Sequence, residues 1–274
     1  MRHQSQILFG VVLLSGLSVL VNAQWLNYPT PGLPRLPDGK PDLNAVMPHR
    51  PDGTVDFTGV WFPDASATAG TRREGGRLGE EAGIGLTTED GSPIPSRLPD
   101  ASAIEQERRR TGALSPSNRC LPHTIPDAML APAPFKFVQT PGLTVLLFEE
   151  YNQFRQIFTD GRPFPPDMQP AWFGYSIGRW EGDTFVIQTA GFNDRGWSFG
   201  GSAPIPRSEA LRTTERFRRV NVGTLTLQVT VDDPKTFAKP WTSNVIRFRL
   251  LPDSDFIEHI CENEKDQGHI VPIK

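Results

Sequence analysis

Three polar residues in the second half of the chain, Glu215, Arg212 and Asp194, have the types needed for acid–base chemistry. Glu215 occurs in the string LRTTERF, where the alternation of a β-strand places it on the same face as two apolar residues. A carboxyl group held among apolar neighbours can act as a general acid or base, and an arginine can stabilise a developing oxyanion. We therefore predict Glu215, Arg212 and Asp194 as catalytic residues. In the alternative, Glu215 pairs with an arginine and only joins two strands.

Aromatic residues concentrate in the same part of the chain, close to turn signals. Next to carboxylates and an asparagine, such side chains suit sugar rings or aromatic ligands, because rings stack and polar groups orient them. Packing in the core is the alternative for each aromatic residue. We predict a ligand site formed by Trp172, Tyr175, Trp180, Asn193, Trp197, Arg155 and Trp241.

Cys120 and Cys261 are the only cysteines of the chain. An even pair of cysteines in an exported protein favours a disulfide. The spacings Cys120-x-x-His123 and His259-x-Cys261 leave open a Cys₂His₂ zinc site if the two segments meet. We predict the disulfide and no metal site.

The string GWSFG around Ser198 matches the nucleophile elbow of α/β-hydrolases, and Asp232 or Asp233 and then His259 follow in the hydrolase order. An elbow requires a helix directly after the serine, and the prolines of GGSAPIPRS disfavour one. We interpret the string as a Gly-rich surface loop. The sequence contains no phosphate loop, dinucleotide fingerprint, haem motif or calcium loop, so we predict no cofactor.

Residues 1–23 have the charged start, apolar stretch and small-residue cleavage site of a signal peptide, with a membrane anchor as the alternative. We therefore predict a periplasmic or secreted protein without a membrane span after cleavage. The formal net charge of −3 gives no basic footprint for nucleic acid.

The composition of 27 prolines and 25 glycines favours many turns over a helical bundle. Residues 24–56 are predicted to form a Pro-rich extended arm, and residues 57–274 a β-rich domain with a flexible Gly-rich loop at 70–99. One short helix is predicted from a capping box formed by Ser102 and Glu105, with its end at Gly112.

Short segments that alternate between apolar and polar residues follow one another, with turn signals between them. The string TLTLQVTVD alternates strictly, as a half-buried strand does. Neighbouring strands joined by short turns pair antiparallel, and a long twisted sheet tends to curl. We therefore predict a mainly β fold, an antiparallel meander that closes into a lipocalin-like barrel or half-barrel. The predicted strands are 57–61, 135–139, 143–151, 153–159, 174–180, 184–189, 211–217, 224–232, 243–251 and 255–262.

Four strings, GRWEGDTFVIQTAGFND, SEALRTTERFRR, VTVDDPKTFAKPW and CENEKD, resemble an uncharacterised family of secreted bacterial proteins. The resemblance covers residues 42–266. It implies secretion and no particular reaction, because the family has no established activity. Members often carry histidine where this chain has Phe164 and Arg207, so a role of those histidines does not transfer to this chain.

Together these features predict an exported protein, monomeric or weakly associating, that binds a small organic ligand in a cavity of aromatic, arginine and carboxylate residues. One alternative is a cofactor-independent lyase, isomerase or hydrolase that uses a Glu or Asp as acid or base. A second is a structural envelope module that docks through the Pro-rich arm. A carboxylate at an open pocket favours the enzyme, a deep apolar cavity the carrier, and an exposed apolar patch the docking module.

Overall fold

The computed structural model describes residues 29–64, 86–198 and 204–261. The predicted signal peptide and residues 70–85 of the predicted loop lie outside these ranges. The helices are α1 (Pro99–Arg110) and α2 (Asp127–Leu130), and single 3-10 turns occur at Pro116–Arg119 and Glu150–Asn152. The strands are β1 (Val60–Pro63), β2 (Phe135–Thr140), β3 (Leu143–Phe148), β4 (Gln153–Phe158), β5 (Tyr175–Glu181), β6 (Thr184–Ala190), β7 (Trp197–Ser198), β8 (Ile205–Pro206), β9 (Arg212–Asn221), β10 (Thr224–Asp232), β11 (Trp241–Thr242) and β12 (Ile246–Leu250).

Nine of these strands form a closed barrel in the order β10-β12-β1-β2-β3-β4-β5-β6-β9, and β9 pairs with β10 to complete the ring. The predicted lipocalin-like barrel is therefore confirmed. The neighbours in the ring pair antiparallel except β4 and β5, which run parallel. Because a parallel pair requires a crossover, the chain does not form a simple meander at this point. Residues 159–174 make this connection.

Side chains fill the barrel, as the alternation of β10 illustrates. Its four apolar residues point inward and are buried, while the Thr and Gln residues between them are partly exposed. Aromatic rings from several strands meet in the interior, with centroids 5.0 Å apart for Phe135 and Phe248 and 5.3 Å apart for Phe137 and Phe217. The interior is thus a packed core, as in other small barrels.

Strand β1 is only four residues long and closes the barrel between β2 and β12. Trp61 is paired with Leu250 on one side and with Phe135 on the other. Its indole is buried and donates a hydrogen bond from Nε1 to the carbonyl oxygen of Phe57 at 2.9 Å. The backbone pairings of β1 therefore join the first and last parts of the barrel, and the indole of Trp61 anchors the residues just before β1.

The segment before β1 lies along the β9–β10 hairpin. The amide of Gly223 donates to the carbonyl of Leu43 at 2.8 Å, and that of Val222 donates to Ala45 at 3.0 Å. Arg219 points inward from β9 and donates to the carbonyl oxygens of Asp56 and Val222. Burial lowers the pKa of Arg219 to about 10, so the side chain remains a cation at neutral pH. The arm is therefore attached to its own barrel.

The helix predicted with Ser102 as its N-cap starts four residues too late. It begins at Pro99, and its N-cap Leu98 makes no side-chain cap hydrogen bond, so the capping box of Ser102 and Glu105 is wrong. Proline in the first turn is the physical reason, since its fixed φ suits that turn and its missing N–H costs nothing there. Gly112 follows the helix with a φ of +62°, in agreement with the predicted end.

The predicted strand at 255–262 is wrong, because residues 251–261 form no strand. β12 already has β10 and β1 as neighbours in the closed ring, so a further strand has no free edge to pair with. The segment is fixed by side chains instead. The amide of Ile257 donates to Glu149 at 3.1 Å, and Lys136 forms an ion pair with Asp255 at 2.6 Å.

The Cys120–Cys261 disulfide is confirmed, with Cα atoms 5.6 Å apart and a sequence separation of 141 residues. It consumes both thiols that a Cys₂His₂ zinc site would need. Disulfides are typical of oxidising compartments outside the cytoplasm. Among the helices of the described ranges, none has the length and apolar character of a membrane span.

Candidate functional site

An open cleft of about 670 Å³ lies where the first turn of α1 faces the segments 206–209 and 235–236. Leu98, Pro99, Ala101 and Ile104 form its apolar wall on the helix side. The opposite wall carries the polar and charged side chains. The cleft is therefore outside the barrel, at the end where the loops after β6 and β10 meet α1.

Ion pairs and backbone hydrogen bonds hold α1 in this position. Glu105 forms ion pairs with both Arg97 and Arg109, and it accepts hydrogen bonds from Arg97 Nη2 at 3.3 Å and from Arg109 Nη2 at 2.8 Å. The amide of Leu98 donates to the carbonyl of Thr236 at 2.9 Å, which joins the start of the helix to the loop after β10. The helix wall of the cleft is thus fixed to the barrel.

Asp233 organises the opposite wall. Its buried carboxylate accepts from the amide of Ser208 at 2.9 Å and from the Ser208 hydroxyl at 2.6 Å. It also accepts from the Thr236 hydroxyl at 3.0 Å and from the amide of Lys235 at 3.2 Å. One carboxylate therefore sets the relative position of the two segments that line the cleft.

Arg207 is the buried charge of the cleft, with 3% of its surface exposed. It donates from Nε to the carbonyl oxygen of Asn193 at 2.7 Å, from Nη2 to Asn193 Oδ1 at 2.6 Å, and from Nη1 to the carbonyl oxygen of Trp172 at 3.0 Å. Its guanidinium also lies 5.7 Å from the Trp172 ring centroid. These contacts fix the guanidinium against the crossover that precedes β5.

Burial lowers the pKa of Arg207 to about 10, against the opposing effect of the negative charges of Asp127, Asp194 and Asp233. The side chain is therefore a cation at neutral pH. Over the described ranges, no carboxylate lies within ion-pair distance of it. Arg207 is thus a buried cation in the cleft wall, and its guanidinium is held by Asn193 and Trp172 rather than by a carboxylate.

Gly196 makes room for this arginine. A Cβ atom at Gly196 would lie 2.7 Å from Arg207 Cζ and 2.5 Å from Thr124 Cγ2. The first glycine of the GWSFG string therefore has a packing role. Ser198 is buried at 1% exposure in β7, which pairs with β8, so it is neither an exposed nucleophile nor part of a surface loop. The rejected nucleophile elbow gains no support, and Trp197 and Ser198 form a short strand rather than the predicted surface loop.

The rim of the cleft is charged and exposed. Asp194, which we predicted as a catalytic residue, lies there with Asp100, Glu209 and Lys235. The predicted residues Trp172 and Asn193 lie next to Arg207 behind the cleft wall. The structure therefore brings three predicted site residues to one place.

The other predicted ligand residues lie elsewhere. Trp180 packs in the core at 5.0 Å from Phe185, and Trp241 is buried at 5.8 Å from Phe237. Tyr175 stacks on Phe158 at 5.0 Å. Trp197 lies under the guanidinium of Arg108, 5.2 Å from its ring centroid. The predicted single cluster of aromatic residues does not form, because most of the rings serve separate packing contacts.

Arg155 and Glu215 form an ion pair inside the barrel, with side chains 1% and 0% exposed. Arg155 also donates to the hydroxyls of Ser176 at 3.0 Å and Thr189 at 2.6 Å. Arg212 is exposed on the outer face of the same strand as Glu215. The three predicted catalytic residues are thus not brought together, and the geometry matches the alternative in which Glu215 joins strands.

Lys235, Asp100 and Arg207 line the cleft and are not among the site residues predicted from the sequence. Nothing in the string PIPR distinguishes Arg207 from an exposed arginine. Lys235 and Asp100 are exposed residues with no sequence pattern that distinguishes them from other surface charges.

A second polar group lies near the disulfide. His123 Nε2 is 3.1 Å from Glu150 Oε1. Burial opposes the protonated form of His123, but the hydrogen bond and charge of Glu150, with the charge of Asp127, outweigh it and raise the pKa of His123 above 6.5. The adjoining crevice has a volume of about 10 Å³, which is too small for an organic ligand.

No family model, curated protein or solved structure matches this chain. Within residues 29–64, 86–198 and 204–261, no group of three or more His, Cys, Asp or Glu side chains is arranged to hold a metal ion.

Proposed function

We propose that this chain is an exported protein that binds a small polar organic molecule in the cleft between α1 and the 206–209 segment. The observation that carries the proposal is the buried Arg207 cation at the wall of an open cleft, without a carboxylate partner in the described part of the chain. A protein that keeps such a charge without a partner gains free energy when a ligand supplies one. The disulfide supports the proposed export to the periplasm or the medium.

The dimensions of the cleft support a small molecule. Its volume of about 670 Å³ falls within the range of roughly 300–1,000 Å³ that is usual for ligand pockets. One apolar wall and one polar wall can bury part of a ligand and orient the rest. Since the cleft wall carries no aromatic residue in the described ranges, polar contacts rather than ring stacking hold the ligand in this proposal.

Catalysis is the second candidate, because three carboxylates, Asp100, Asp194 and Glu209, line an open cleft. Asp194 is the predicted catalytic residue that could reach a bound molecule there. Detection of turnover that Asp194→Asn abolishes without loss of binding would favour the enzyme. Docking through the arm receives less support, since the arm hydrogen-bonds to its own barrel.

The test is a thermal-shift and native mass spectrometry screen of the protein purified from the periplasm against a library of small metabolites. Ile104 lines the cleft and is 46% exposed, so Ile104→Trp fills the cleft without a change in the core. Ala103 is exposed on the same helix and does not line the cleft, so Ala103→Trp is the matched control.

The proposal expects at least one compound that binds the unchanged protein and the Ala103→Trp variant but not the Ile104→Trp variant. Equal binding by all three proteins would place the ligand elsewhere. Failure of every compound to bind would reject the binding function.

A further inference from the structure

We infer that the outer face of β2, β3 and β4 is the contact surface of a weak, symmetric homodimer. This inference goes beyond the proposed function, because the face lies across the barrel from the cleft. In the ring, β3 is four strands away from both β9 and β10, whereas the cleft segments 206–209 and 235–236 adjoin β9 and β10. A dimer formed through this face therefore leaves the cleft open.

The outer face of the three strands is apolar. The strand registers place six apolar side chains there: Val138 of β2, Leu143, Val145 and Leu147 of β3, and Phe154 and Phe158 of β4. Phe154 is 58% exposed and Val138 is 40% exposed. The opposite, inward face of β3 is also apolar at Leu146 and Phe148, which are buried. A strand that is apolar on both faces is typical of one that is covered on both sides.

The other side of the same barrel is hydrophilic. The outward residues of β10 are mostly threonine and glutamine, and those of β12 are Arg247 and Arg249. Closure of a barrel requires apolar residues only on the inward face, so the apolar outer face of β2, β3 and β4 is a separate feature of the sequence. An exposed aromatic ring within an uncharged apolar patch is typical of a protein interface.

The polar groups of this face suit a second copy of the same chain. Gln156 is exposed on the outside of β4, and its amide both donates and accepts, so it can pair with its own copy. Among the outward residues of the three strands, Lys136 is the only charged one, and it forms an ion pair with Asp255 at 2.6 Å. At the edge of the face, Arg162 is paired with Asp160. The face therefore opposes no unpaired like charges when two copies meet.

The closed ring determines how the copies can meet. The three strands have no free edge, so the partner must pack face to face instead of extending the sheet. A two-fold axis that crosses the strands places each strand over its own copy in the reversed direction. Val138, Val145 and Gln156 form one row across the strands, and each then meets its own copy. An axis along the strands would instead place the Gln156 amide against Val138, so the crossing axis is the complementary arrangement.

The size of the face indicates a weak dimer. Three strands of six residues cover roughly 15 Å by 20 Å. A standard interface buries about 800 Å² on each partner, so this contact is at the small end of specific interfaces. We expect the protein to be monomeric at about 5 µM and largely dimeric at about 1 mM.

The test is sedimentation velocity of the disulfide-bonded protein over this range of concentrations. Phe154→Glu should weaken the dimer about tenfold or more, because it places a carboxylate within the contact of the two copies. Val220→Glu is the matched control, since Val220 is 50% exposed on the outer face of β9, across the barrel. If circular dichroism shows that Phe154→Glu does not fold, Val138→Glu in β2 supplies the same readout.

A pair of charge variants tests the symmetry. Gln156→Glu and Gln156→Lys should each dimerise more weakly than the unchanged protein, because each opposes its own charge across the axis. An equimolar mixture of the two should associate more tightly than either variant alone. This recovery is expected only if two copies meet at Gln156.

Three results would overturn the inference: a monomer at every concentration, a dimer that Phe154→Glu and Val138→Glu leave unchanged, or a mixture of the Gln156 variants that associates no better than its components. Binding of the monomer to phosphatidylcholine vesicles, lost in Phe154→Glu, would assign the face to lipid and also overturn it. Ile104→Trp, which fills the cleft, should dimerise like the unchanged protein. Loss of the dimer therefore leaves the proposed cleft function intact, and failure of ligand binding leaves the dimer intact.

Discussion

Arg155 and Glu215 are hydrogen-bonded through both carboxylate oxygens inside the barrel, with 2.9 Å between Nη1 and Oε1. The pair lies between β4 and β9, which are separated in the ring by β5 and β6. The hydroxyls of Ser176 in β5 and Thr189 in β6 also accept hydrogen bonds from Arg155. The side chains around the ion pair therefore join the four strands β4, β5, β6 and β9. Its position makes it a structural connection within a packed core.

We predict that Glu215→Gln lowers the free energy of unfolding by about 3–5 kcal/mol, because it leaves the buried Arg155 cation without its anion. Ligand binding by the protein that remains folded should not change. Urea unfolding followed by circular dichroism measures the first quantity and calorimetry the second. Loss of ligand binding or turnover in a stably folded variant would instead support the catalytic role predicted from the sequence.

Replacement of both partners is the control for that prediction. We expect Arg155→Met with Glu215→Leu to be less destabilised than Glu215→Gln, since neither charge remains to be buried alone. A double variant that is less stable than the single variant would show that the ion pair itself stabilises the barrel strongly.

We predict that replacement of Cys120 and Cys261 by serine lowers the free energy of unfolding by about 2–5 kcal/mol. The bond restricts the unfolded chain over 141 residues, and loss of that restriction favours unfolding. Thermal unfolding with and without reductant measures the effect. Reductant should lower the unfolding temperature of the unchanged protein and should not change the unfolding temperature of the double serine variant.

We predict that Gly196→Ala destabilises the protein by about 1–3 kcal/mol and weakens ligand binding. The added methyl group would lie 2.7 Å from Arg207 Cζ, so the guanidinium must move away from its contacts with Asn193. Unfolding and calorimetric titration report the two effects separately. Unchanged affinity in this variant would mean that the position of Arg207 does not control binding.

We predict that part of the stability depends on protonation of His123, whose pKa the folded protein holds above the ordinary 6.5. A raised pKa gives a contribution that is fully present below 6.5 and is lost as the pH rises through the folded value. Urea unfolding at a series of pH values from below 6.5 upward measures this contribution to the free energy of unfolding. The His123→Gln variant should lose this part of the pH dependence, although the neighbouring titratable groups His259 and Glu149 remain in place.

Much of the barrel could be predicted from the sequence because its strands have one buried face. The strict alternation of β10 determined its bounds, and short turns placed β2, β3 and β4 side by side. The predicted strand at 255–262 failed for a reason that is not local. Whether a segment becomes a strand depends on a free neighbouring edge, and closure of the ring removes the edge.

The site was less predictable because it is assembled from loops. Asp194 was identified, but its partners Asp100 and Lys235 come from a helix start and a turn that are distant in sequence. Glu215 was selected as reactive because a carboxylate occurs among apolar residues, and the same pattern describes a buried ion pair. The identity of the residue that faces Glu215 decides between these roles, and that residue comes from a distant strand.

The position of β1 between β2 and β12 imposes an order on the maturation of the chain. Trp61 is among the first residues of the barrel to leave the ribosome, but its partner Leu250 follows nearly two hundred residues later, and its pairing to β12 must wait. A nascent chain therefore cannot close the ring before synthesis reaches β12. Such late closure keeps the ring open until the last barrel strand has been synthesised.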